Sequence, residues 1–339
     1  MTDNFGVGLM VMLVSGFLNS AFPLPLKYAR KWQWENTWLV FSVITFLVLP
    51  WMAATALNPN LMATYSAAPW AEFAPALIFG FLWGIAQVTF GLSFPLVGMA
   101  MSFAIVVGLC GVLGSFIPMA VLHREQLFGV RGLALAVCTV IMAGGLWLYA
   151  KSARQREADS NPEGASESRK SYRLGLFLCV FTGVLGSALN LGFALSDTLT
   201  KRLTGSGATG LDASFAVWAV VLAGGSIPNL VYSVYLLVKN RSARRFADGA
   251  GRESLLAVAM AVLWLGGTEG YGVGATYMGQ LGTSIGYAIY VMILIMGSTI
   301  LGVMTGEWKT AKPATYRLMK VALGIILVSV LLLSASGAL

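Results

Sequence analysis

The sequence predicts an all-α integral membrane protein, with ten transmembrane helices in two inverted five-helix repeats. Three observations carry that expectation. Apolar stretches of about 20 residues, the length that crosses a bilayer as a helix, recur along the chain. Of the 339 residues 57% are hydrophobic and only 11% are charged, against roughly 25% charged in a soluble domain. The basic residues fall almost wholly on alternate connections, the asymmetry that cytoplasmic loops impose.

The ten spans are expected at 5–26, 36–57, 73–95, 98–121, 130–149, 174–196, 213–238, 254–275, 281–304 and 317–336. The first follows Met-Thr-Asp-Asn-Phe, which has no basic lead, so it reads as a retained span rather than a cleaved signal. Pro23 and Pro25 interrupt it just before Lys27. Proline removes a backbone donor, so the pair marks either the helix end, the favoured reading, or a kinked gate. Trp32, Trp34 and Trp308 flank spans, where interfacial aromatics belong. The fourth span ends at His123 and Arg124, expected in a solvated loop.

After the fifth span comes the longest polar segment, 151–173, rich in Ser, Glu and Arg. It reads as a cytoplasmic linker between a first repeat at 1–150 and a second at 174–339. Asp197, Lys201 and Arg202 at the end of the sixth span are expected to be solvated.

Eighteen of the 22 lysines and arginines lie beside the connections after odd-numbered spans; only Arg124, Arg131, Lys201 and Arg202 lie after even-numbered ones. Because the basic side is the cytoplasmic one, both termini are expected to face outward, on the periplasmic side. The same clustering excludes nucleic acid as the reason for the net charge of +8. Three cysteines without a CxxC pair, and a single histidine, fit neither a disulfide framework nor a metal centre.

An internal likeness supports the repeat. A shift of 184 residues lays Gly98-Met-Ala-Met-Ser-Phe-Ala-Ile-Val-Val107 on Gly282-Thr-Ser-Ile-Gly-Tyr-Ala-Ile-Tyr-Val291, with four identities. These segments open the fourth and ninth spans, the fourth of each half. A half with an odd number of spans enters the membrane from the opposite side to its partner, which makes the repeat inverted. That arrangement lets a midplane site open alternately to each face.

Chemistry concentrates in the eighth span, Leu263-Trp-Leu-Gly-Gly-Thr-Glu-Gly-Tyr-Gly-Val-Gly274. Glu269 is a lone carboxylate there, with no Lys or Arg between Arg252 and Lys309. A charge at bilayer depth costs about 2.5–3.5 kcal/mol on the gentlest scale. Gly266, Gly270 and Gly274 at four-residue spacing predict a tight-packing face with Glu269 at its border, pointing inward. Desolvation disfavours the charged form, so Glu269 is a candidate proton-coupling residue; the plainer alternative is a structural, hydrogen-bonded carboxyl.

Small neighbours one turn away place Asn19, Gln87 and Asn190 inward as well. Amides both donate and accept, which suits a sugar hydroxyl, although helix-helix bonding is the commoner use. Trp83, Trp264, Tyr271, Tyr287, Tyr290 and Trp218 lie inside spans rather than at their ends. As a set they predict an aromatic-lined cavity. The candidate substrate-binding residues are therefore Gln87, Asn190, Asn19, Trp83, Tyr271, Trp264 and Tyr287. No Walker motif, GxSxG elbow or HExxH is present, so neither an enzyme nor an ATP-driven pump is expected, and no cofactor.

Phe22-Pro-Leu-Pro-Leu-Lys-Tyr-Ala-Arg-Lys-Trp-Gln-Trp-Glu-Asn-Thr-Trp38 and Leu49-Pro-Trp51 resemble the start of the L-rhamnose–proton symporter family. So do Phe79-Gly-Phe-Leu-Trp-Gly84 with Gly91, Gly98-Met-Ala-Met-Ser102, and Gly306-Glu-Trp-Lys309. The Lys-Trp-x-Trp-Glu motif is the specific element; the glycine-rich spans are less so. The resemblance implies a ten-span fold of the drug/metabolite transporter superfamily that imports a deoxysugar with a proton across a bacterial inner membrane. L-rhamnose or a related monosaccharide would be the substrate, the proton the coupling ion and the lipid bilayer the setting. A metabolite or drug exporter working by proton antiport on the same fold is the alternative.

Overall fold

The computed structural model describes residues 4–97, 99–160, 169–306 and 308–337. Among them there are ten helices long and apolar enough to cross a membrane, and no strand. The spans run Phe5–Tyr28, Trp34–Leu57, Trp70–Ser93, Ile105–Leu122, Val130–Arg156, Arg173–Gly205, Gly210–Lys239, Ala250–Tyr277, Gly279–Met304 and Pro313–Leu333. Gly98, which opens the internal likeness, lies outside the described residues, as do 161–168 of the polar segment.

Several spans are built from pieces, and the sequence explains most breaks. The first α-helix stops at Ala21, and Pro25–Tyr28 forms a separate 3-10 turn, so the paired prolines end this helix. In the second span a π turn, Ile44–Val48, precedes a helix with Pro50 at its start; Pro50 has no N–H to give, and the ladder is rewired around it. The sixth breaks at Ser187, between Arg169–Gly186 and Ala188–Ala194. The ninth opens on a second π turn, Gly282–Gly286.

The helix of the fifth span continues to Ser160, and the next helix begins at Arg169, so the ends of the polar segment are helical rather than linker. Lys, Arg, Gln, Glu and Ala are strong helix formers, and the tip is anchored: Asp159 accepts from the Lys312 N–H at 3.0 Å and the Thr315 hydroxyl at 2.9 Å, and pairs with Lys312 Nζ at 3.1 Å.

The first span packs on the eighth and ninth, the sixth on the third and fourth, the fifth on the tenth, and the fourth on the ninth. The seventh lies against the second and third. Small residues set the closest approaches, since apolar helices in lipid associate by packing rather than by hydrophobic burial. A Cβ on Gly267 would sit 2.6 Å from Asn19 Cβ and 2.8 Å from the Ser15 carbonyl of the first span. Gly270 and Gly274 meet Ser15 and Met12 of the same helix, whereas Gly266 is exposed. The packing stripe is therefore Gly267, Gly270 and Gly274, one residue off the expected register at its start. Gly267 is the position whose rotation about the helix brings it in line with the first span.

Candidate functional site

Trp264, Thr268, Tyr271 and Ala275 follow one another at helical spacing along one face of the eighth span, and all are buried. Around this face the structure gathers most of the expected site in two linked groups. In the first group, the Asn19 amide donates to the Trp264 carbonyl at 3.3 Å and to Thr268 Oγ1 at 3.1 Å. The Trp264 ring lies 5.5 Å from Trp83, and Phe46 stands edge-on to both at 5.4 Å. From Phe46 the rings continue through Phe41, Trp38 and Trp34 towards the start of the second span.

The second group centres on Tyr271. Its ring lies 5.5 Å from Tyr287, 5.1 Å from Tyr290 and 6.1 Å from Trp218. Trp218 stacks on Phe193 at 4.8 Å with an interplanar angle of 6°. The Tyr271 hydroxyl donates to Asn190 Oδ1. Asn190 in turn donates to the carbonyls of Gly114 and, at 2.9 Å, Thr283. This amide thus ties the broken sixth span to the fourth span, the π turn of the ninth, and the eighth. Both of its N–H groups are in use.

The three amides differ in what they leave open. Asn19 also spends both N–H groups on the eighth span, but its Oδ1 accepts from no described residue. Gln87, one turn beyond Trp83, is partly buried and makes no hydrogen bond with the described residues. Asn190 is the most fully bonded and Gln87 the least.

Glu269 is 4% exposed, and neither carboxylate oxygen has a hydrogen-bond partner among the described residues. It does not share the ring-lined face. At roughly 100° per residue, Glu269 projects about 200° around the helix from Tyr271 and about 140° from Trp264. Its stripe carries Gly272 and Thr276, and both meet the seventh span. Gly272 abuts Trp218 Nε1 and Ser214 Oγ, and Thr276 Cγ2 lies 3.3 Å from the place of a Gly210 Cβ. Trp218 Nε1 and Ser214 Oγ, like the Glu269 oxygens, are buried without a partner among the described residues. Among the described residues, the interface of the seventh and eighth spans thus holds unpaired donors, and the unpaired acid lies on the same helix stripe as the residues that form it. Trp218 touches both sides, with its N–H edge at Gly272 and its ring on Phe193 and Tyr271.

Sequence reasoning missed Phe46 and Phe193, which complete the two ring groups; the proline after Phe46 was the available signal for the turn that carries it. It also misplaced Arg202. Far from being solvated, its guanidinium grips Glu72 with two bonds, at 2.6 and 2.7 Å. The expectation holds only for Asp197 and Lys201, an exposed pair. His123 lies 3.9 Å from Glu125. No cluster of metal-ligating side chains occurs among the described residues.

A family model described as L-rhamnose-proton symport protein (RhaT) matches residues 1–336. L-rhamnose-proton symporters are similar over nearly the whole chain. That of Cronobacter sakazakii is 23% identical over 337 residues, covering 97% of each chain. The Escherichia coli protein is 23% identical over 325 residues, 93% of this chain and 94% of its own. That of Citrobacter koseri is 22% identical over 319 residues, 92% of each.

Proposed function

The chain belongs to the L-rhamnose-proton symport protein family, and from that premise we propose that it imports L-rhamnose or a closely related sugar together with a proton. The observation that carries the reading is the match of the family across residues 1–336, so the spans that build a central site are all included. The same match disfavours an exporter, and the protein is a multi-pass membrane transporter rather than an enzyme.

Transport proceeds by alternating access between two inverted halves, 1–150 and 174–339, joined by a cytoplasmic segment. Support comes from the pairing of spans. The first packs on the eighth and ninth, and the sixth on the third and fourth. Advancing every number by five, and returning past ten to one, turns the first pair of contacts into the second. The fifth–tenth and fourth–ninth contacts map onto themselves. Such exchange is what an inverted repeat requires. The 18-to-4 division of basic residues supports periplasmic termini and a cytoplasmic 151–173 segment in the bacterial inner membrane.

The sugar binds along the ring-lined face of the eighth span. Trp83 and Trp264 offer apolar faces to its C–H groups, Gln87 and the Asn19 Oδ1 bond its hydroxyls, and Tyr271 with Asn190 and Tyr287 closes the far end. Glu269 carries the proton. Neutralised, it loses the cost of holding charge at bilayer depth, about 2.5–3.5 kcal/mol. It takes up a proton from outside and releases it to the less acidic cytoplasm. Because Glu269 and Tyr271 lie on opposite sides of one helix, Trp218 links protonation to sugar.

The test is uptake of labelled L-rhamnose into proteoliposomes with and without an inward proton gradient. Gradient-stimulated accumulation is expected. Absence of uptake in both conditions would overturn the substrate assignment.

A further inference from the structure

The two ends of the spans carry matching acid–base arrangements, and they are in different states. On the face where the third span starts and the sixth ends, Glu72 and Arg202 form a two-bond ion pair at 2.6 and 2.7 Å, with side chains 17% and 34% exposed. On the opposite face the corresponding places are the start of the eighth span and the end of the first. There Glu253 occupies the first turn of its helix, as Glu72 does of its own. Glu253 follows Glu72 by 181 residues, close to the 184-residue offset of the internal likeness.

An acid in the first turn of a helix is by itself explained by the helix dipole. What lies opposite each acid is not. Glu253 is 1% exposed; one oxygen accepts from the Arg30 backbone N–H at 3.3 Å and the other, Oε2, is buried with no partner among the described residues. Arg30 follows the first span as Arg202 ends the sixth. Its side chain is exposed, and its guanidinium makes no hydrogen bond or ion pair with the described residues. An unpaired buried carboxylate oxygen carries its full desolvation cost, and a guanidinium fork is the group shaped to relieve it. The neighbouring Arg252 bonds the Tyr28 carbonyl at 3.2 Å, which holds the same two chain ends together.

We propose that Glu72–Arg202 and Glu253–Arg30 are the two gates of the transport cycle, one at each face. The first is closed in this structure. The second is half made, with Arg30 positioned to close on Glu253 as Arg202 releases Glu72. Each gate joins one helix from either half of the chain, so opening one while closing the other is the rocking motion itself. The proposal rests on the alternating-access reading above.

The experiment pairs Glu72→Cys with Arg202→Cys, and Arg30→Cys with Glu253→Cys, separately and together. Protein with Cys110, Cys138 and Cys179 replaced is reconstituted in liposomes and bridged with a short bis-methanethiosulfonate. Each bridge alone should cut L-rhamnose exchange more than tenfold, and reduction should restore it. In the four-cysteine protein, a bridge at one end should lower the bridging yield at the other severalfold. Exchange at an unchanged rate through bridged protein, or full yields of both bridges in one molecule, overturns the gates. If no L-rhamnose moves even in the reduced proteins, the transport reading fails while the bridging yields still decide the gates. A charge swap, Glu72→Arg with Arg202→Glu, covers the case where a cysteine variant does not fold. Recovery of exchange over either single change supports the gate, and no recovery overturns it.

Discussion

Glu269 and Tyr271 are two residues apart and project to opposite sides of the eighth span. Tyr271 bonds Asn190 and packs among rings, while Glu269 lies buried, without a hydrogen-bond partner among the described residues, on the stripe that meets the seventh span. An acid that touched the sugar directly would be expected among the rings. If Glu269 carries the proton, as proposed above, its position on the other side of the helix makes coupling a matter of helix movement.

Glu269→Gln tests that separation. The amide keeps the size and removes the ability to carry a proton. Accumulation driven by a pH gradient should be abolished, while sugar exchange at equal pH stays within a fewfold of the wild type. Normal gradient-driven accumulation by the variant would remove Glu269 from the mechanism.

The amides should divide by what they already bond. Gln87→Ala is expected to raise the KM for L-rhamnose at least severalfold with little change in Tm, since it breaks no bond among the described residues. Asn190→Ala removes three bonds between spans. At about 1 kcal/mol each, it should lower stability by about 3 kcal/mol, read as a fall in Tm in detergent. Equal effects of the two on Tm would contradict the assignment.

Gly267→Ala puts a methyl group 2.6 Å from Asn19 Cβ and 2.8 Å from the Ser15 carbonyl. The neighbours on that side include backbone, which yields poorly, so an overpacking loss of about 1–3 kcal/mol is expected. Gly266→Ala, at an exposed position on the same turn, should be neutral. Thermal unfolding of the two variants side by side checks the register of the stripe.

Asp159 gives a pH-dependent prediction outside the membrane. The Lys312 backbone N–H, then the Lys312 ammonium and Thr315 hydroxyl, hold its carboxyl below the ordinary value of 3.8. A carboxyl depressed in the folded state contributes stability that is fully present above its unfolded value and is lost as pH falls through the folded one. Asp159→Asn should therefore lower Tm by a constant amount at neutral and mildly acidic pH, and the difference should shrink below about pH 4. A difference that grew on acidification would refute the contact.

Much of the packing around the candidate site was legible in local spacing. Trp264 and Tyr271 recur at the heptad interval that keeps residues on one helix face, and the structure finds both there. The same arithmetic already set Glu269 apart from them, since two residues turn a helix by about 200°. Grouping them by proximity in sequence overlooked it. Pro50 signalled a break near Phe46, but the direction of that ring was not legible, because it depends on a π turn that shifts the face by a residue.

By itself the sequence determined the number of spans, their approximate limits and the charge asymmetry of their connections. Each of these follows from the cost of placing polar or charged groups in hydrocarbon, which is paid residue by residue. Only the tertiary structure decided which faces meet: Asn19 with Trp264 and Thr268, Arg202 with Glu72, and Asp159 with Lys312. Lipid tails are as apolar as the side chains of a neighbouring helix, so hydrophobicity does not mark an inward face in a membrane. Small-residue fit and bonds between distant helices mark it, and these exist only once the helices are packed.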